Sequence, residues 1–369
     1  MPRTLDSKFH IDNIVDQYGA DLDADKVKAY CTNHEVGYQT ITKYLNQFKT
    51  KRGHWKVTVK EAKRQLEKTL ENSNVGIAKT TVQAENLVPA KDDTFIKFGA
   101  FPDLKKVIQS RLFYPVFITG MSGNGKTFGV EQACNQTNRE LIRVNITVET
   151  DEDDLIGGFR LVNGETVWHN GPVIEALERG AILLLDEVDL ASNKILCLQS
   201  ILEGKGVFLK KIGEYVKPTA GFTVVATANT KGKGSDDGRF IGTNVLNEAF
   251  LERFPITFEQ AYPTPKTENR ILRALCEQLN IPMIGEHEDF IVHLCSWAEI
   301  VRKTFAEGGV DEIISTRRLT HIMKAYSIFG DKMKAVDLCL NRFDDETKES
   351  FRQLYTKLDP TVTITPETE

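Results

Sequence analysis

The chain has 369 residues, of which 41% are hydrophobic and 27% charged, with a formal net charge of -5. It is too long for one ordinary domain and apolar enough to bury a real core, so two or three globular domains are expected. No stretch approaches the roughly 20 apolar residues of a membrane helix, and the N-terminus has no apolar signal core, which excludes a membrane-spanning chain and predicts a cytoplasmic one. The six cysteines, Cys31, Cys134, Cys197, Cys276, Cys295 and Cys339, form no C-x-x-C pair. They read as reduced thiols, and neither Cys31 with His34 nor His287, His293 and Cys295 has the spacing of a zinc site.

Residues 1–72 predict a small, mainly helical domain. Ala24 to His34 places Val27, Tyr30 and Cys31 on one helical face, and Tyr38 to Phe48 places Ile41, Tyr44, Leu45 and Phe48 on another. Helix, short turn with Gly37, helix, then basic residues around Trp55 fits two readings: a helix-turn-helix DNA reader, or a partner-docking bundle with a solvated basic face. No Arg/Asn/Gln array names bases in the sequence, which favours docking. From Lys43 to Lys68 nine Lys/Arg face only Glu61 and Glu67, a net +7, so the remainder of the chain carries -12. That patch marks residues 43–68 as a candidate nucleic-acid contact.

Residues 73–93 are polar, aromatic-free and broken by Pro89, the composition of a linker. The main domain is then expected over residues 94–262. Phe95 to Phe101 lies just ahead of an apolar strand and either packs against a base or staples the linker to the core.

The strand Val116-Phe117-Ile118 breaks into Gly120-Met121-Ser122-Gly123-Asn124-Gly125-Lys126-Thr127-Phe128, which fits G-x-x-x-x-G-K-[ST]. The glycines let backbone N–H groups turn towards a phosphate, Lys126 reaches β- and γ-phosphates, and the Thr127 hydroxyl is a Mg²⁺ ligand candidate. All nine loop residues are therefore candidates for holding a nucleotide's phosphates, with the dipole of a helix starting at Lys126 assisting. Strand runs at Val116 to Thr119, Leu141 to Ile146, Ile182 to Asp186, Thr223 to Ala228 and Ile256 to Phe258 alternate with helical patterns, which predicts a five-stranded parallel α/β sheet between helices.

The third strand ends in Asp186-Glu187, which puts two carboxylates at the ligand-binding edge. Asp186 is the candidate for the Mg²⁺ shell and Glu187 for polarising the attacking water. The fourth strand ends at Asn229, which either orients that water or merely starts a turn. A Gly-rich, charged loop, Lys231 to Asn244, leads into a predicted short helix, Val245 to Phe254. There Arg253 is either an arginine finger directed at a neighbouring subunit's nucleotide or a solvated residue.

Residues 263–345 read as a helical lid, with helices near 266–279, 288–307, 316–329 and 332–341. Ser315-Thr316-Arg317-Arg318 opens the third with a cap candidate and two arginines, whose cost against the helix dipole points to an anionic partner. Residues 346–369 read as a C-terminal tail.

Taken together, the phosphate loop, Asp186-Glu187, Asn229, Arg253 and Arg317 resemble the AAA+ ATPases. Leu141 to Asp189 and Ile314 to Thr320 further resemble the MoxR group and, most narrowly, the CobS-type ATPase subunits of cobaltochelatase and their tailed-phage relatives. The resemblance covers about residues 95–341. It implies an AAA+ P-loop core with a helical lid, Walker A and B motifs at the loop and the acid pair, and catalytic roles for Glu187, sensor 1 Asn229, finger Arg253 and sensor 2 Arg317. Arg318 competes for that last assignment, and Asn145 matches a residue that restrains the catalytic glutamate. Hairpins are implied at Ile156 to Asn170 and Gly204 to Gly221. The family also implies ATP and Mg²⁺, a ring of identical subunits, a hexamer, and a partner with a von Willebrand A domain. For a phage-encoded chain the location is the host cytoplasm.

Overall fold

A computed structural model of the chain describes residues 7–18, 21–34, 36–57, 86–234, 242–282 and 284–362. Several expectations fall wholly or partly outside them: the basic residues 60–68, the first part of the linker (73–85), the centre of the Gly-rich loop (235–241) and the last residues of the tail (363–369). The chain divides into two compact units, Met1–Ala78 and Lys79–Glu369. Among the described residues no helix is long and apolar enough to cross a membrane.

The first unit runs α1 (Ser7–Tyr18), β1 (Asp21–Asp23), α2 (Ala24–Asn33), α3 (Tyr38–Leu45), a 3-10 turn (Asn46–Phe48), β2 (Lys49–Lys51) and β3 (His54–Lys56). The Asp23 carboxylate caps α2 by accepting from the backbone N–H groups of Asp25 and Lys26 at 3.1 and 2.9 Å. Ile14, Leu22, Val27, Tyr30, Ile41, Leu45, Phe48 and Trp55 form its core. Helices α2 and α3 follow the predicted periodicity, but the antiparallel sheet of order β1-β3-β2 was not legible. Its strands are three residues each, too short for alternation to register.

In the second unit the next strands are β4 (Val116–Thr119), β5 (Leu141–Asn145), β6 (Gly157–Val162), β7 (Glu165–Asn170), β8 (Ile182–Asp186), β9 (Val207–Leu209), β10 (Glu214–Val216), β11 (Thr223–Ala228) and β12 (Ile256–Glu259). Five make a parallel sheet of order β12-β4-β11-β8-β5. β4, β8 and β11 are buried at every residue, which is why they read as unbroken apolar runs. Their carboxyl ends align: Asn145 lies opposite Asp186, and Thr119 opposite Ala228. β6–β7 and β9–β10 are separate antiparallel hairpins within the two stretches expected to hold them.

Three expectations need correction. Residues 87–92 lie along the core rather than forming a free linker. The Leu87 carbonyl accepts from Leu141, and Gln132 and Asn135 of the helix Lys126–Gln136 hold Ala90, Asp92 and Pro89. Those partners lie 40 or more residues away, so the segment's own composition concealed its anchoring. The helix expected over Val245 to Phe254 spans only Glu248–Leu251, because Asn247 caps it at Ala249.

The third correction concerns the tail. Asp345–Leu358 is a helix capped by Asp344, and its Phe351 and Tyr355 are 2% and 0% exposed. Trp297 donates its indole N–H to the Phe351 carbonyl at 3.0 Å. The run DDETKES hides a helix whose apolar residues begin only at Phe351. The lid therefore has five helices among the described residues: Pro265–Gln278, Glu286–Ala306, Thr316–Phe329, Lys332–Leu340 and Asp345–Leu358.

Candidate functional site

The carboxyl ends of β4, β8 and β11 meet under the lid at a cavity of about 400 Å³. Where β4 stops, Gly120, Gly123 and Gly125 take φ of 149°, 72° and 87°, values open to glycine, and the helix Lys126–Gln136 begins. A Cβ on Gly123 would sit 2.8 Å from the Ser315 hydroxyl, and the Gly123 carbonyl accepts from the Arg317 N–H at 3.2 Å. The loop and the first turn of the third lid helix are therefore in contact.

Lys126 donates through Nζ to the carbonyls of Gly120 and Met121, the latter at 3.0 Å, and to Asn229 Oδ1 at 3.2 Å. Burial lowers this ammonium to about 8, against the opposing pull of Asp189, Asp186 and Glu187. A cation held by carbonyls in a partly desolvated site is poised for a stronger anionic partner. Ser122, Gly123, Asn124, Gly125, Lys126, Thr127 and Phe128 line the cavity, whereas Gly120 and Met121 stand behind it and hold Lys126. Asn124 is 1% exposed and donates to the Gln260 carbonyl at 2.5 Å, fastening the loop to the end of β12.

The Asp186 carboxylate is bonded on both oxygens. Thr127 donates to Oδ1 at 2.9 Å, Thr227 donates to the same oxygen, and Arg143 Nη2 reaches Oδ2 at 2.5 Å. The paired Thr127 hydroxyl and Asp186 carboxylate are hard oxygen donors at one point of the wall, a donor set that would suit a Mg²⁺ ion. Glu187 follows with φ of 58°, a left-handed conformation of the kind stored at functional sites, and its exposed side chain lines the cavity.

Asp189 is fully buried. Its Oδ2 accepts from the N–H groups of Asn229 and Thr230, both at 2.9 Å, and from the Thr230 hydroxyl at 3.1 Å. It fixes the backbone that carries Asn229 beside Lys126. The Phe95 to Phe101 segment contributes Phe95, Ile96 and Phe98 to the wall, and the lid adds Ile271 and Leu275, an apolar lining suited to a base.

Of the two lid arginines, Arg317 lines the cavity while Arg318 turns inward, donating to the Cys339 carbonyl and lying 5.0 Å over the Phe343 ring. A buried network lies behind Arg317. Glu268 is 0% exposed and accepts a bidentate pair from Arg302 at 2.8 and 2.9 Å and the Thr316 hydroxyl at 2.5 Å. Arg302 also stacks 4.2 Å over Tyr262, whose hydroxyl donates to the Ser122 carbonyl at 2.6 Å. Burial pushes that phenol up to about 12, so it remains a donor at neutral pH. The chain of contacts thus runs from phosphate loop to lid.

Two predicted residues stand apart. Arg253 does not line the cavity; it pairs with Glu203 at 2.7 Å and donates to the Ala249 carbonyl. Asn145 is exposed and accepts from Arg143 at 3.1 Å rather than bonding Glu187. The sequence reading missed Arg143, Asp189, Tyr262, Glu268 and Arg302. Only Asp189 left a local trace, as a third acid three residues after Asp186 and flanked by apolar residues.

A family model described as an AAA domain of the dynein-related subfamily matches residues 115–254. An uncharacterized protein of Staphylococcus haemolyticus is 31% identical over 243 residues, covering 63% of this chain and 86% of that one. The aerobic cobaltochelatase subunit CobS of a Sinorhizobium species is 27% identical over 222 residues, covering 58% of this chain and 66% of that protein. Among solved structures, the Thermotoga maritima RuvB Holliday junction branch migration motor aligns with a TM-score of 0.39 at 16% identity, over 76% of this chain and 94% of its own.

Proposed function

Because this chain belongs to the AAA+ ATPases through their dynein-related subfamily, we propose that it is one subunit of a homo-oligomeric ring, a hexamer, that hydrolyses ATP to remodel a protein partner. The observation that carries this reading is the convergence of Lys126, Thr127, Asp186, Glu187, Asn229 and Arg317 on one cavity, contributed by both core and lid.

In this reading Lys126 and the loop N–H groups bind the β- and γ-phosphates, and Thr127 and Asp186 would hold Mg²⁺. When bound, the ion neutralises charge on the phosphate oxygens. The Glu187 carboxylate takes a proton from the attacking water, and Asn229 orients that water. Arg317, as sensor 2, binds phosphate charge from the lid side. In the ring, Arg253 exchanges Glu203 for the neighbouring subunit's nucleotide, the arginine-finger role, which is worth about 10³–10⁵ in rate where it has been measured.

The partner-facing role draws support from the two hairpins. Phe159 and Leu161 on β6 are 44% and 76% exposed, and Phe208 and Tyr215 on β9 and β10 are each 54% exposed. Apolar groups of this size at hairpins fit a protein contact. The resemblance to CobS-type subunits favours a partner with a von Willebrand A domain and, as the finest reading, a cobalt-inserting complex.

The deciding experiment is Glu187→Gln. Turnover should fall by at least about 100-fold, the lower range for loss of general-base catalysis, while ATP affinity stays at the parent value. Turnover surviving at the parent rate would remove Glu187 from its role. The ATP-locked variant also serves as bait, because the partner reading requires a bound protein that is released by ADP.

A further inference from the structure

We propose that α3 and the ribbon β2–β3 form a binding surface for double-stranded DNA, with α3 in the major groove and the ribbon on the phosphate backbone. The inference concerns the first unit alone and does not depend on the ATPase reading.

The topology places the elements. Helices α2 and α3 follow one another across a four-residue connection (34–37), the order of a helix-turn-helix, and the chain passes from α3 through one 3-10 turn straight into the ribbon, which is the middle and outer part of the sheet β1-β3-β2. Helix α3 is sunk on one side only: Ile41 and Leu45 are 1% and 0% exposed in the core. The opposite side presents Gln39, Lys43 and, on the following turn, Asn46, all exposed and spaced four and three residues apart on one face. This is the amide-bearing array that the sequence alone had not resolved, because the apolar positions between its members masked it. Carboxamides of this kind bond adenine edges in the major groove.

The ribbon supplies the cations. Lys49, Thr50, Lys51, Arg52, His54 and Lys56 are all exposed. Gly53, with φ of 73°, allows the two-residue turn that carries Arg52 at the tip. Trp55, 5% exposed, anchors the ribbon from below. Residues 36–57 contain five Lys/Arg and no Asp or Glu. Among the described residues, acids face the ribbon across the sheet from β1, where Asp21 lies opposite Lys56 and Asp23 opposite His54. Among the described residues, Lys49 and Lys51 on β2 pair with Trp55 and His54 rather than with an acid.

The chemistry selects the nucleic acid. A helix enters the roughly 12 Å major groove of B-DNA but not the deep, narrow one of A-form RNA. A single strand binds by stacking on a run of aromatic faces, and of the ribbon's two rings Trp55 is buried and only the His54 imidazole is exposed.

The test uses the full chain and a fluorescent duplex of about 24 base pairs, titrated between about 50 and 200 mM salt. Binding should weaken along a log–log line, and the Lys51→Ala/Arg52→Ala variant should lower its slope by about 2, uniformly across sequences. Gln39→Ala/Asn46→Ala should keep the slope and lose discrimination between duplexes. The far-UV circular dichroism spectrum and the thermal melt should be unchanged in both variants, which reports that they fold. The proposal is overturned by no duplex binding at the lowest salt, or by a slope unchanged in Lys51→Ala/Arg52→Ala. It is equally overturned if polyglutamate displaces the duplex charge for charge, which would assign the surface to an acidic protein.

Discussion

At the carboxyl edge of the sheet, buried polar groups are left with capacity to spare: Asp189 Oδ1 and Asn124 Oδ1 have no partner among the described residues. Lys126 there is held by neutral carbonyls and an amide. In the lid, Glu268 is just as deeply buried, yet both its oxygens are bonded, by Arg302 and Thr316. A buried group that lacks partners costs stability, so the first region tolerates a deficit that a charged ligand would relieve. The Glu268 carboxylate has no such deficit, and its work is to hold Thr316, and with it Arg317, at a fixed place. One region is arranged for what it will bind and the other for what it must position.

The largest effect that separates them is Lys126→Ala. It should weaken ATP binding by about 100-fold, the worth of charge-assisted hydrogen bonds to phosphate, yet leave the melting temperature of the nucleotide-free protein nearly unchanged. Titration calorimetry with a parallel thermal melt reads both. A large loss of stability would mean that Lys126 serves the fold, and the contrast would fail.

Glu268→Ala should do the reverse. Leaving Arg302 buried without its acid costs about 3–5 kcal/mol, read as loss of the lid's unfolding transition in denaturant. Glu268→Gln keeps the shape and one acceptor, so it should recover part of the stability. If Glu268→Ala lowered ATP affinity without a stability loss, the network would belong to the site itself.

The pH dependence sharpens the same contrast. Burial depresses Lys126 to about 8, so the free protein loses this positive charge as pH rises through that value. ATP affinity should therefore be constant below it and fall above it, by up to about tenfold per pH unit. Flat binding from pH 7 to 9.5 would show that the charge is held by other means.

A smaller effect tests the link between the two regions. Tyr262→Phe removes one hydrogen bond to Ser122, worth about 1 kcal/mol, and should shift ATP affinity by a few fold. Combined with Arg302→Lys it should be non-additive, because the Tyr262 ring lies against that guanidinium. Strict additivity would break the proposed path from lid to loop. The smallest signal is chemical: burial pushes the thiols of Cys134, Cys197 and Cys295 up to about 12. They should resist alkylation at pH 8 in the folded protein, and rapid labelling would reveal opening of the sheet or lid.

Much of the site was legible because its chemistry is local. Gly120 to Thr127 carries its geometry in its glycines, and Asp186-Glu187 ends a run apolar enough to be a buried strand. The lid's five helices were legible as four, since the charged start of Asp345–Leu358 hides its few core residues. Tyr262, Glu268 and Arg302 are ordinary residues until folding packs them together, and no spacing announces them. Arg253 is a different case: its partner within this chain is Glu203, a residue 50 positions earlier.

By itself, the sequence determined a phosphate loop, an acid pair and a parallel sheet, because backbone conformation and strand burial write directly into residue type at short range. Tertiary structure alone decided that Arg317 rather than Arg318 lines the cavity, and that residues 87–92 belong to the core. It also decided that Gln39, Lys43 and Asn46 share one exposed face above a basic ribbon. Each of those facts depends on which side of a helix, or which distant strand, the rest of the chain has already covered. That choice is made by packing, whose partners lie tens of residues apart.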